Sequence, residues 1–581
     1  YELSKNEKRR IFIDEIFPQQ DLTEGQSRVQ NTFDLHYVPS EKGPYNNNEN
    51  SSFINNVTKN WGGITRKING TNFEQSNVEF IQFWLLDTFE ENSSKDNNLG
   101  NLIFNLGSIS EDILKDGKKL YENGLPTNNS QQIVNNSKWG ISPATQSLIY
   151  SFDSDANNRK LQDLGYDGLN DEDELAKYFN GLNTDPAGDN YEYYLNARGG
   201  ILNRYKNYNG TQGNSPVSTS ENSRGSTTIP DTEDVNQDNT MNTIDSYFEY
   251  RIPIKKNMNV GNHPFISDVR DNVKVELPNG QTKITRWIQF KVPVFKQFYN
   301  SSNYNSYFNA VNGIDNLRSI QFMRILLKDF SDPVTIRFGT LDLVRTDWKR
   351  YSKNLNSENI NYPNTTFDIS SVNILENENR VPVNYILPPG VQREEISSNN
   401  SIIRQNEQSM SIKVVDLQPK DSRAVYKNLD FDMRQYKKLK MFIHAESIEG
   451  EPKLPGEGSS ENFDKRLVGF IRLGSDFTDN YYQIEVPLKP TAYSQASSNR
   501  FSSDQVWIPE SNSIDFSLEI LTKLKALALS SQSNLSQTLY FNEDLQQIDE
   551  FTSISSLPVS EALQKGSFII AIPIAFLKWG E

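Results

Sequence analysis

Two acidic stretches space oxygen-bearing side chains as a hard divalent cation requires. In the first, which runs from Asp163 to Glu174, Asp163 stands at position one of a twelve-residue loop and Asp167 at position five. The turn glycine Gly168 follows, then Asp171 at position nine and Glu174 at position twelve, with the Leu169 carbonyl as a backbone ligand. Calcium takes six to eight oxygens, and the glycine allows the sharp turn that converges them. Gly165 at position three removes one side-chain ligand, so binding is expected to be weaker than in a full set. The competing reading is a solvated acidic turn that caps a helix starting at Asp171.

The second stretch carries Asp234, Asn236, Asp238, Thr240, Asn242 and Asp245 at the same spacing, with a shorter final carboxylate. A strand beginning near Tyr247 is expected after it, where a helix would leave an EF-hand. An Asn/Asp turn before an edge strand explains this pattern equally well. If both sites fill with Ca²⁺, the expected role is structural: ions rigidify long loops that a small core cannot hold.

Catalytic constellations are scarce. The only histidines are His36, His263 and His444, and none falls in a nucleophile or metalloprotease motif. His444 sits in an apolar run, where a packed histidine is the expectation. No phosphate loop, dinucleotide glycine pattern or nucleophile elbow occurs. Nothing marks out one carboxylate pair among many, so no enzyme is expected.

Composition narrows the class. The 581 residues exceed what one core supports, so several domains are expected. A mean hydropathy of -0.67 is polar, yet 11% aromatic residues exceeds what a disordered chain carries. The 26 Tyr and 32 Phe need burial, and β-structure is their natural sink. A net charge of -16 argues against a nucleic-acid partner. Cysteine is absent, which removes disulfides and thiolate chemistry. The start at Tyr1, without Met or an apolar leader, is what a fragment would show. Phe568–Leu577 is the longest apolar run, too short for a membrane helix and interrupted by Pro573; transmembrane β-strands remain open.

The elements that must position these residues read as strands. Asn/Ser-rich stretches such as Asn209–Thr228 and Asn354–Thr366 separate them as loops. Val78–Leu86 is apolar on nearly both faces, as in a central strand. Phe248–Ile254 and Ile288–Val294 alternate with period two. An echo joins distant segments: Ile81-Gln82-Phe83 leading to Gly107-Ser108, and Ile320-Gln321-Phe322 leading to Gly339-Thr340. A weaker third copy joins Leu439–Ile443 to Gly474-Ser475. Helices are expected at Glu111–Tyr121, introduced by capping-box spacing from Ser108, and at Asp171–Asn180 and Ser517–Leu529. The fold class is mainly β: repeated antiparallel β-sandwich-like units with few short helices. The expected division is a first sandwich-like unit at 1–135 and a loop-rich region with both acidic loops at 136–245. Further units follow at 246–395 and 396–510, and a helix with a C-terminal segment at 511–581.

Several long motifs together resemble the SprA (Sov) family. They include Thr32–Asn46 (TFDLHYVPSEKGPYN), Asn60–Ile68, Val78–Phe89, Phe104–Pro126, Leu161–Glu174, Arg204–Pro216, Asp231–Asn242, Phe338–Tyr351 and Asp432–Ser447. The resemblance runs through roughly residues 30 to 490 and fades after about 530. It implies an internal fragment of a giant outer-membrane β-barrel protein, the protein-conducting channel of type IX secretion in gliding bacteria. It further implies three kinds of partner: a PorV-like outer-membrane shuttle barrel, a periplasmic plug protein and secreted folded cargo. The expected location is the outer membrane, with this fragment on the extracellular side as cap or insertion; Phe248–Ile254 and Ile288–Val294 could instead be wall strands.

A second reading stands beside it: a calcium-stabilised carbohydrate-binding or adhesin array on the cell surface. Trp61, Trp84, Trp287 and Trp348 would then stack on sugars. Trp84, inside an apolar strand, is expected in the core, and Trp61, beside Gly62, on the surface.

Overall fold

The computed structural model describes residues 2–41, 55–90, 96–112, 234–351, 365–398, 401–418, 421–429, 432–447, 467–476, 480–491, 500–530 and 566–573. It also describes short pieces at 43, 92, 134–136, 141–143, 175–176, 197–205, 353, 355, 540–542 and 547–549.

Ten strands build a first sandwich: β1 (Phe33–Tyr37), β2 (Trp61–Lys67), β3 (Val78–Leu86), β4 (Asn98–Ser108), β5 (Ser246–Lys255), β6 (Ile266–Glu276), β7 (Thr282–Pro293), β8 (Phe308–Ala310), β9 (Phe322–Lys328) and β10 (Val334–Arg345). One sheet has the order β6-β7-β3-β10-β1 and the other β8-β5-β4-β9-β2, every ladder antiparallel. The alternation read from sequence does what it should. Phe248, Tyr250, Ile252 and Ile254 on β5 point inward, across from Ile288, Phe290 and Val292 on β7. On the outer side of β5, Glu249 pairs with Arg251 at 2.9 Å.

β3 is the central strand of its sheet, and both its faces are covered. Phe83 faces the other sheet, with Phe290 stacked at 5.0 Å and Phe104 at 5.6 Å. On the far side, Trp84 and Leu86 join Trp287 against Ile11 and Ile16, the latter on the short helix α1 (Ile13–Ile16). A β-branched and aromatic run without polar alternation is what two-sided burial selects.

The echo takes a form that differs from separate units. Its first copy supplies β3 and β4, its second β9 and β10. β3 pairs with β10 and β4 with β9. Each copy therefore contributes one strand to each sheet, and the first strand of one copy lies beside the second strand of the other. The segments 1–135 and 246–395 interleave in a single sandwich, so the expected boundary between them is not a domain boundary. The shared glycines have a steric reason. A Cβ on Gly107 would collide with the Ser246 carbonyl and lie 2.7 Å from Tyr247 Cα. On Gly339 it would strike Ile16 and approach Trp287 to 2.8 Å.

A second region follows, with β11 (Thr366–Asn373), α2 (Ile374–Asn377), β12 (Gln408–Leu417), β13 (Lys438–Phe442), β14 (His444–Ser447), β15 (Val468–Gly474), β16 (Tyr481–Pro487), β17 (Ser513–Ser517), α3 (Glu519–Ser530) and β18 (Gly566–Pro573). β11-β12-β18-β14 form a four-stranded sheet, and β13–β17 and β15–β16 pair separately. Leu417, Leu439, Met441, Val486 and Ile514 share its core. β11 lies before residue 396, while β17 and β18 come from the segment expected at 511–581. The boundaries at 395/396 and 510/511 are thus also crossed by strand pairing. α3 matches the expected helix at Ser517–Leu529. The helix expected at Asp171–Asn180 lies outside the described residues apart from 175–176.

Candidate functional site

Of the two acidic loops, Asp163, Asp167, Leu169, Asp171 and Glu174 lie outside the described residues. The loop from Asp234 to Asp245 is described and sits at one end of the first sandwich. Asp234 is almost fully buried, and its carboxylate accepts from the amides of Asp238 at 3.0 Å and Asn239 at 3.2 Å. Asn236 Oδ1 also accepts from the Asp238 amide, and Asp238 Oδ1 accepts from the Thr240 amide at 2.8 Å and hydroxyl at 2.5 Å. Asn239, at position six, adopts φ 66°, the left-handed conformation that Gly168 would supply in the other loop. Asn tolerates it because its short amide satisfies local backbone groups.

The loop is braced by a residue that spacing did not single out. Glu111 was expected to open a helix as the far member of a capping box. Residues 109–112 are non-helical, the remainder of the helix expected to Tyr121 lies outside the described residues, and the Glu111 carboxylate reaches across the chain. It accepts from the amides of Val235 at 2.7 Å and Asn236 at 3.4 Å, and from the Asn242 amide at 2.9 Å and side chain at 2.8 Å. The Glu111 amide donates to the Asn242 carbonyl at 2.7 Å. Burial pushes this carboxyl upward, and the four donors pull the other way. Asp245, at position twelve, accepts from the Ser110 amide at 3.0 Å. Side chains of the right type for a hard cation therefore stand at positions one, three, five and seven, while the last carboxylate is turned to the Ser110 amide, just past β4. Among the described residues no group of three or more His, Asp or Glu converges as a metal centre.

A polar seam joins the two regions. Arg270 Nη2 donates to the carbonyls of Leu375 at 2.6 Å and Glu376 at 2.9 Å on α2. Asn377 donates to Asp268 at 3.1 Å, and Gln289 to Glu376 at 3.2 Å. Lys291 donates to the Ser371 carbonyl at 3.0 Å. Burial raises the Asp268 carboxyl to about 6, against the pull of Arg270 and Asn377. Burial likewise lowers the Lys291 ammonium, which nearby carboxylates partly offset.

The histidines are structural. His263 Nε2 donates to the Pro253 carbonyl at 2.9 Å while its Nδ1 accepts from the Phe265 amide, which fixes a neutral tautomer. Burial brings it down to about 4. His444 has residue types of a catalytic triad around it: Thr491 lies 3.4 Å from Nδ1 and Glu446 3.1 Å from Nε2. All three side chains are buried, and the Thr491 hydroxyl donates to the Val506 carbonyl at 3.1 Å. Burial alone would raise Glu446, but Arg380 and His444 outweigh it and hold it at about 2. This is a clamp between β14 and the segment after α2, with the Thr491 hydroxyl buried inside it.

The tryptophans divide as their neighbours suggest. Trp84 and Trp287 are fully buried, and Trp61 is 66% exposed on the edge strand β2.

Comparison with known proteins follows the same line. The SprA_N family model, described as a motility related/secretion protein, matches residues 170–564, more than half of the chain. The motifs before residue 170 lie outside that match, and the match extends past the point where the sequence resemblance fades. No curated protein matches the chain. The chain belongs to the SprA family of motility-related secretion proteins.

Proposed function

We propose that this chain is a non-enzymatic part of the outer-membrane channel that exports folded cargo in type IX secretion, forming a rigid extracellular cap or insertion. One observation carries the reading beyond family membership. Strands that alternate like barrel wall lie in a closed sandwich with an aromatic core, and the outer side of β5 presents a Glu249–Arg251 ion pair. A lipid-facing wall demands an apolar outer band, and charges there are strongly disfavoured. A sandwich wetted on its outside suits an insertion between wall strands.

The partners are a PorV-like shuttle barrel, a periplasmic plug protein and the secreted cargo. Affinity isolation of the full-length protein is expected to recover a shuttle barrel, and deletion of the gene to stop secretion. Intact secretion after deletion would overturn the reading.

Calcium belongs to the proposal as a structural ion in both loops. At the described one, Asp234, Asn236, Asp238 and Thr240 would hold it, with Asp245 exchanging the Ser110 amide for the ion. The ion would supply rigidity, no chemistry. Added CaCl₂ should raise the melting temperature and chelation reverse it.

The exposed indole of Trp61 favours a second reading, a surface adhesin that stacks on sugars. A glycan array separates them: binding lost in Trp61→Ala supports the adhesin.

A further inference from the structure

A cavity of about 600 Å³ opens inside the second region, among β12, β13, β15 and the chain from Asp421 to Leu429. Ordinary cores leave few gaps larger than a water molecule, so a hollow of this size is a feature of the site. Its volume falls within the ~300–1,000 Å³ usual for ligand pockets. Most of the wall is apolar and includes Met410, Met433 and Met441 with Ile412, Leu439 and Phe470. Unbranched thioether chains reshape at little cost around a guest that is itself flexible. An acyl chain is such a guest.

Charge on the wall decides the other end of the guest. Among the described residues, the charged members of the wall are three cations, Arg423, Lys427 and Arg472, and two anions, Asp421 and Asp476. Both anions are engaged within the protein. Asp421 is 1% exposed and pairs with Arg423, and Asp476 accepts from the amide of Asn480 at 2.9 Å and from its side chain. Lys427 reaches outward to Asp347 at 2.8 Å, a carboxylate 79% exposed, and such a surface pair is weak in water. Arg472 leans on neutral groups. Its Nε donates to the Gln483 side-chain oxygen at 2.7 Å, and its guanidinium lies 4.3 Å over the Tyr481 ring and 5.4 Å over the Phe470 ring. Stacking fixes the plane of a guanidinium, and its forked N–H groups match a carboxylate. An ammonium-headed guest meets the wrong sign, and an uncharged one leaves the cationic excess unanswered.

We infer that this cavity binds a single-chain fatty acid, its acyl chain among the methionines and its carboxylate on Arg472. The site is separate from the sandwich on which the export reading stands and does not depend on it.

The test titrates the full chain with cis-parinaric acid, a fatty acid whose fluorescence rises in an apolar site, and then displaces it with oleate, methyl oleate or oleylamine. Parinaric acid should bind and oleate should displace it. Methyl oleate and oleylamine, which carry the same chain without the carboxylate, should each displace it roughly tenfold more weakly, as loss of a charge-assisted hydrogen bond predicts. Arg472→Gln should weaken parinaric acid by a similar factor. Ile412→Phe, which fills the hollow from β12, should reduce binding while the thermal melt stays at or above that of the parent chain. The three competitors leave the protein untouched, so their order is readable even if a variant folds poorly. No rise in fluorescence with the parent chain would overturn the inference. So would displacement by methyl oleate or oleylamine as strong as that by oleate, which would show that the wall reads the chain and not the head.

Discussion

The two regions solve the same burial problem with different materials. The first sandwich closes two five-stranded sheets over aromatic rings, with Phe83 in contact with Phe104, Phe290 and Phe338. The second assembles a four-stranded sheet and two separate ladders from distant segments, and encloses a methionine-walled cavity. Rings stacked on one neighbour and edge to face with another fill space in one arrangement, whereas thioethers around a hollow accept several. The comparison teaches that rigidity belongs to the first region and adaptability to the second.

Truncation should break the comparison most clearly. Phe83→Ala is expected to lose about 4 kcal/mol in urea unfolding, because a ring held on three sides leaves a cavity that cannot collapse. Met441→Ala should lose about 2 kcal/mol, at the low end for such a change, because its surroundings already contain a void. Equal losses would mean that the two cores are packed alike.

Next in size is the clamp of the second region. Glu446→Gln should cost about 3 kcal/mol, since Arg380 and His444 would be left facing a neutral amide in a buried site. A change near zero would show that solvent compensates the pair.

The steric reading of the echo comes third. Gly107→Ala places a methyl against Ser246 and Tyr247 and should cost about 2 kcal/mol by overpacking. A neutral result would remove the reason given for the repeated glycine.

Acid separates the regions most finely. His263 falls from 6.5 to about 4 on folding, so the unfolded chain takes up its proton first. Its contribution is complete above 6.5 and is lost as pH drops toward 4. Glu446 falls from 4.5 to about 2, so its contribution is present above 4.5 and lost as pH drops toward 2. The stability gap between parent and His263→Gln should therefore narrow at higher pH than the gap for Glu446→Gln. Simultaneous narrowing would contradict the assignment.

Much of this was legible in the residues. Aromatic and β-branched runs located β3, β5 and β7, because burial dictates period and composition. Trp84 and Trp61 were sorted by their neighbours alone. Strand partnership was not legible: the echo showed that two segments are alike, yet likeness does not say whether copies stand apart or interlock. Glu111 was misread for a related reason. A carboxylate three residues after Ser108 satisfies a helix cap as well as a loop, and its actual donors are 124 and 131 residues away. β18 read only as an apolar run too short for a membrane helix, and its ladders with β12 and β14 identify it as an interior strand.

The proposed place of the chain can be tested directly because its 581 residues contain no cysteine. Trp61→Cys and Ile284→Cys, both at exposed positions of the first sandwich, would be probed on intact cells with a membrane-impermeant maleimide, with buried Phe83→Cys as control. An extracellular insertion predicts labelling of the first two on whole cells and none at the control. Labelling that appears only after the outer membrane is opened would contradict it.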